Sequence, residues 1–166
     1  MRGHSVAREG VMAGIIGATA VAVWFLIVDS VGGHPLYTPR VLGTALFSVL
    51  GPLGTEGPAV HIVAYTIFHY AAFIIVGAIA SVIVHWAERE PSVLAGLLIL
   101  FVAFELGFYG FTAMLADWLP IGALAWYQVA AGNLIAAALM GIYLWRANPA
   151  LTREFTQALD GREHGA

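Results

Sequence analysis

Apolar residues run through this chain in long blocks, not at the intervals of an amphipathic surface helix. Four blocks, 11–28, 59–86, 93–115 and 121–145, hold a single Asp, Glu, Lys or Arg between them, Glu105. Crossing a hydrocarbon core takes about 20 apolar residues, so each block predicts a transmembrane helix. The second and third blocks meet across a tight turn at 87–91, and the third and fourth across another at 117–120. Short connections make consecutive helices antiparallel neighbours. The fold class expected is therefore an all-α integral membrane protein, four transmembrane helices in an antiparallel bundle filling residues 1–148.

Two further helices are expected beside the spans. Within the long outer loop, 30–58, Thr38-Pro39 reads as an N-cap with proline at the first helical position, and Gly51-Pro52 as the matching stop. The helix between them, 39–50, is too short to span. Arg40, Thr44 and Ser48 recur along it every four residues, the pattern of an interfacial or re-entrant segment. Past Asn148-Pro149, which breaks the last span, Leu151, Phe155 and Leu159 repeat every four, predicting a short amphipathic cytoplasmic tail helix within 149–166.

Composition agrees with this pattern: 60% of residues are hydrophobic and 10% charged. The absence of cysteine excludes disulfides and thiolate metal sites, and no basic stretch suggests nucleic-acid binding. The first apolar run exceeds the usual ~7–15 residues of a signal-peptide core and is read as a retained helix. With the N-terminus inside, Arg2, Arg8, Arg89, Arg146, Arg153 and Arg162 fall on one side and Arg40 on the other. The positive-inside rule then puts both termini in the cytoplasm, the expected location being a bacterial cytoplasmic membrane.

Candidate chemistry lies at mid-depth. A carboxyl in the bilayer costs at least ~2.5 kcal/mol unless paired or facing protein, so Glu105 marks a site. His69 and Asn133 lie near the midpoints of their own blocks. Helical spacing extends the set, with His61, Tyr65 and His69 sharing one face and Glu105, Tyr109 and Thr112 another. The expected result is one polar pocket, outward-facing and sealed from inside, built from His61, Tyr65, His69, Glu105, Tyr109 and Asn133. It can be a ligand or proton site, or a purely structural hydrogen-bond cluster. His61, His69 and His85 share one span, so two axial haem ligands cannot come from opposite sides within the chain; a haem or chlorophyll-type pigment held by His69 alone stays open, as does a metal shared by His69 and Glu105. No nucleophile elbow, phosphate loop or zinc-protease motif indicates a catalytic centre.

Small residues crowd the first block, Gly10/Gly14, Ala13/Gly17 and Ala18/Ala22, and a stripe of the fourth, Asn133, Ala137 and Gly141. Such faces let helix backbones approach closely. The first block has more of them than one neighbour requires, which points to contact with another chain. The spacing of Gly10, Ala13, Gly14 and Gly17, with the apolar stretch from His69 to Gly77, is similar to that of small four-span bacterial families without an assigned activity, and the resemblance implies no function. The leading expectation is a small non-catalytic integral membrane subunit of a larger complex of respiratory or photosynthetic type. Its partners are then the lipid bilayer and other membrane subunits or further copies of itself. The alternative is a carrier or sensor that binds a small molecule, a proton or a cofactor around His69 and Glu105.

Overall fold

The computed structural model describes residues 3–51, 57–87 and 126–149 without a break, and residues 90, 93, 95–96, 98–99, 101–102, 105–106 and 109–110 between them. Four helices are complete: α1 (Gly3–Val31), α2 (Tyr37–Leu50), α3 (Pro58–Ala87) and α4 (Trp126–Ala147). The described residues contain no strand. Of the expected third span, the described positions from 95 to 110 have helical backbone; 111–115, the turn at 117–120 and the tail at 150–166 lie outside the described residues. So do Arg2, Arg89, Arg153 and Arg162.

Among the described residues three helices are long and apolar enough to cross a membrane: Val6–Val31, Pro58–Ala87 and Trp126–Ala147, of 26, 30 and 22 residues. At about 1.5 Å per residue they reach roughly 39, 45 and 33 Å, each more than the ~30 Å hydrocarbon core. The first helix outruns its apolar block at both ends. Arg8 and Glu9 are helical before it and Asp29 and Ser30 after it, so the hydrogen-bonded backbone continues past the apolar residues at both ends.

The bundle is organised around α1, which runs antiparallel to both α3 and α4, while α3 and α4 meet each other mainly through it. Glycine explains why. A Cβ on Gly77 would lie 2.3 Å from the Gly10 carbonyl oxygen and 2.5 Å from the Gly14 nitrogen, and one on Gly14 would lie 2.5 Å from the Ile74 Cα. The two backbones therefore touch directly. On the α4 side, Gly17 accommodates Met140 and Phe73, and Gly132 accommodates the Trp24 ring. Ala13 and Ala18 are fully buried. Gly10, Ala13, Gly14, Gly17 and Ala18 of α1 are thus covered by two neighbours in the same chain, while Ala22 is exposed.

Apolar side chains fill the seams on either side of the glycines. One cluster gathers Ala13, Val84, Ala87, Met140 and Leu144; the other gathers Val21, Phe25, Val129 and Ala136, with Phe73 packed against both.

Side chains bond across the seams as well. The Trp24 indole N–H donates to the Gln128 carbonyl at 2.9 Å, joining α1 to α4, and the Ser81 hydroxyl donates to the Val6 carbonyl at 2.9 Å, joining α3 to α1. Near the start of α1, Asn148 Nδ2 donates to Glu9 Oε2 at 3.0 Å, and His85 Nε2 lies 3.8 Å from the same oxygen. These three residues join all three long helices at one end. Taken singly, Glu9 opens a span, His85 looks interfacial and Asn148 looks like a helix breaker.

The start of α2 differs from expectation. Thr38 is not the N-cap. The helix begins at Tyr37, the capping position is Leu36 in the left-handed region (φ 67°), and no side chain of the loop caps it. The cap comes from α1 instead: buried Asp29 accepts from the Thr38 backbone N–H and the Thr38 hydroxyl, each at 2.8 Å. A carboxylate there satisfies orphan donors of the first turn and opposes the positive end of the helix dipole. At its other end α2 stops on Gly51 (φ 90°), whose N–H bonds the Phe47 carbonyl. Between them Gly43 lies on the backbone of His61, where a Cβ would meet the His61 carbonyl oxygen.

Candidate functional site

The six expected pocket residues fall into three groups. His61 faces α2, with Nδ1 3.2 Å from the Thr44 hydroxyl and its ring 5.0 Å from that of Phe47; its buried Nε2 has no partner among the described residues. Tyr65 and His69 line a cavity between α1, α3 and the beginning of α2. Glu105, Tyr109 and Asn133 form a separate cluster against α4.

His69 and Glu105, expected as neighbours, do not pair. His69 is buried, and its Nε2 donates to the Ala18 carbonyl at 3.1 Å. Glu105 Oε1 accepts from Asn133 Nδ2 at 2.5 Å. The position of α1 is the reason: the face of α3 that carries His69 meets the α1 backbone, while Asn133 on α4 meets the third helical stretch. Phe73 touches the His69 ring at 4.8 Å between centroids and packs into the same apolar cluster as Tyr109. Apolar packing thus lies between the two polar groups, and a metal shared by them is not built.

The His69 cavity measures about 260 Å³. Aromatic rings surround the imidazole, Tyr65 at 5.6 Å and Tyr70 at 5.9 Å in an edge-on contact. Across the cavity Thr19 Oγ1 donates to the Ile15 carbonyl at 2.8 Å, so the 3.0 Å contact with Tyr70 has the tyrosine hydroxyl as donor. Thr66 donates to the Ile62 carbonyl at 2.7 Å. No lining side chain is charged, and most are aliphatic or aromatic. Pockets for drug-sized ligands run from roughly 300 to 1,000 Å³, so the space suits a smaller molecule and does not enclose a porphyrin.

The Glu105 cluster is a tie between helices. Tyr109, one turn further on, also hydrogen-bonds the carboxyl group, and its hydroxyl donates to the Trp126 carbonyl at 2.9 Å, at the first residue of α4. Glu105 Oε2 is buried without a partner among the described residues. Interhelical polar contacts in bilayers contribute about 0.6–2 kcal/mol. A double-mutant cycle over Glu105→Leu and Asn133→Leu in thermal unfolding is therefore expected to show coupling of that size; additive losses would show that the contact contributes nothing to stability.

No family model, no curated protein and no solved structure matches the chain.

Proposed function

We propose that this protein is a four-span, antiparallel integral membrane protein that binds a small, neutral, mainly apolar molecule in the outward half of the bundle, beside His69. The observation that carries this reading is the 260 Å³ cavity: a space bounded by three helices, free of charged side chains, with one buried imidazole and tyrosine side chains among apolar walls. Ligand sites are concave and mostly apolar, with few convergent polar groups. The helical backbone at the described positions from 95 to 110 supports a fourth crossing. The arginine distribution supports cytoplasmic termini in a bacterial cytoplasmic membrane, which turns the loop containing α2, and the cavity beneath it, outward.

Native mass spectrometry of the protein purified in mild detergent tests the proposal. A small-molecule adduct is expected, retained in Glu105→Gln and lost in Thr66→Phe, which fills the cavity from α3. An adduct that survives the filling substitution, or no adduct in the wild type, overturns it.

A second reading, a subunit of a larger membrane complex, has its own support on α4. Gly141 is exposed and a Cβ there meets nothing within 4 Å among the described residues, which leaves room for a close neighbour at that end of the small-residue stripe. The same preparation distinguishes the two: defined companion proteins in a particle much heavier than the 17.6 kDa chain and its micelle support the subunit reading, and a lone particle removes it.

A further inference from the structure

The hydrogen bonds around the cavity specify the polar group of its ligand, an inference that rests on the pocket reading above. Almost every donor in the wall is already engaged. The hydroxyls of Thr19 and Thr66 bond carbonyls of their own helices, Tyr70 bonds Thr19, and Thr38 bonds Asp29. Two groups are left. His69 Nε2 gives its hydrogen to the Ala18 carbonyl, which can only accept, so in the neutral ring Nδ1 carries a lone pair. That nitrogen has no hydrogen-bond partner among the described residues, and the ring that carries it lines the cavity. The Tyr65 hydroxyl, one helical turn away on the same face, is likewise without a partner among the described residues, and Tyr65 lines the same cavity. Tyr65 can donate or accept.

The geometry points to recognition of a hydroxyl group: the cavity takes an uncharged apolar alcohol or phenol whose O–H donates to His69 Nδ1 while its oxygen accepts from the Tyr65 hydroxyl. Each alternative satisfies less. A carbonyl or ether accepts from Tyr65 but leaves the imidazole lone pair unmatched, and a buried unmatched acceptor is costly. An ammonium or carboxylate finds no counter-charge in the wall. A hydrocarbon leaves both groups unpaired.

Nitrogen NMR of the histidine-labelled protein in liposomes tests this, with para-cresol and its methyl ether as probes at matched concentrations in the bilayer. The His69 signals are identified by their proximity to Ala18, which requires no substitution. Without a probe, His69 is expected as the tautomer protonated at Nε2. Para-cresol is expected to shift the Nδ1 resonance and to saturate at a concentration roughly tenfold lower than the ether, the value of about one hydrogen bond. Equal binding of the two compounds would overturn the hydroxyl assignment and leave the pocket standing. Failure of both compounds to move any resonance of the cavity residues would overturn both.

Discussion

Gly77→Leu is expected to abolish the folded bundle, and Gly77→Ala to destabilise it by about 1–3 kcal/mol, the usual cost of overpacking. The magnitude follows from what the new atom meets. The nearest neighbours of a Cβ at position 77 are the Gly10 carbonyl oxygen at 2.3 Å and backbone atoms of Gly14, and neither can rotate aside as a side chain does. Relief requires α1 and α3 to separate. That separation strips packing from Ala13 and Ala18 and lengthens the bonds from Ser81 to Val6 and from His69 to Ala18. In a bilayer there is little hydrophobic force to reclose the gap, since lipid tails are as apolar as the side chains they replace. Gly141→Leu is the matched control, because its Cβ meets nothing among the described residues; a change within about 0.5 kcal/mol is expected. Thermal unfolding in mild detergent, read by size-exclusion chromatography, compares the three. Equal midpoints for the variants at positions 77 and 141 would contradict the direct backbone contact.

The second large effect is expected at Asp29. Asp29→Ala removes a buried carboxylate that accepts two hydrogen bonds from Thr38. Bonds to charged groups contribute about 1.5–3 kcal/mol each, so a loss on the order of 3 kcal/mol is expected. It falls locally. Leu36 sits in the left-handed region, at a cost of roughly 1–2 kcal/mol for a residue with a Cβ, and the Asp29 contact holds the turn in that shape. Without it α2 is expected to lift from α3, while α1, α3 and α4 keep their mutual packing. The chain has no cysteine, so a single Ala45→Cys is a clean reporter. Ala45 is 6% exposed. Maleimide labelling is expected to be slow with Asp29 present and at least tenfold faster with Asp29→Ala; identical rates would mean that Asp29 does not hold α2 down.

These two positions also show what a sequence discloses and what it withholds. Long apolar runs announce spans because crossing lipid is a constraint on length and composition alone, and three of the four expected runs are helices of sufficient length. Depth along a helix is equally readable. Glu105 and Asn133 fall at similar levels on different runs, and the structure bonds them to each other. Azimuth is not readable. Nothing in the one-dimensional pattern says that α1 stands between α3 and α4, so His69, at a similar depth to Glu105, meets a backbone carbonyl of α1 instead. The same limit hides Asp29: a carboxylate closing an apolar run looks like the end of a span, and its partner Thr38 looks self-sufficient as a cap. The glycines of α1 were visible as packing faces, but not the identity of what they pack against.

The central place of α1 sets the order in which the protein can be assembled. Ribosomes deliver α1 before α3 and α4, yet its glycine face waits for α3, and the polar contact from Glu9 waits for Asn148, 139 residues later. Until α4 has entered the membrane, Gly17 lacks its contact with Met140 and Trp24 its contact with Gly132. A nascent chain stalled before Trp126 therefore holds a half-built hub, with the Trp24 indole lacking its Gln128 acceptor. α4 completes the packing of α1, which makes truncation before α4 as damaging to biogenesis as a lesion within α1.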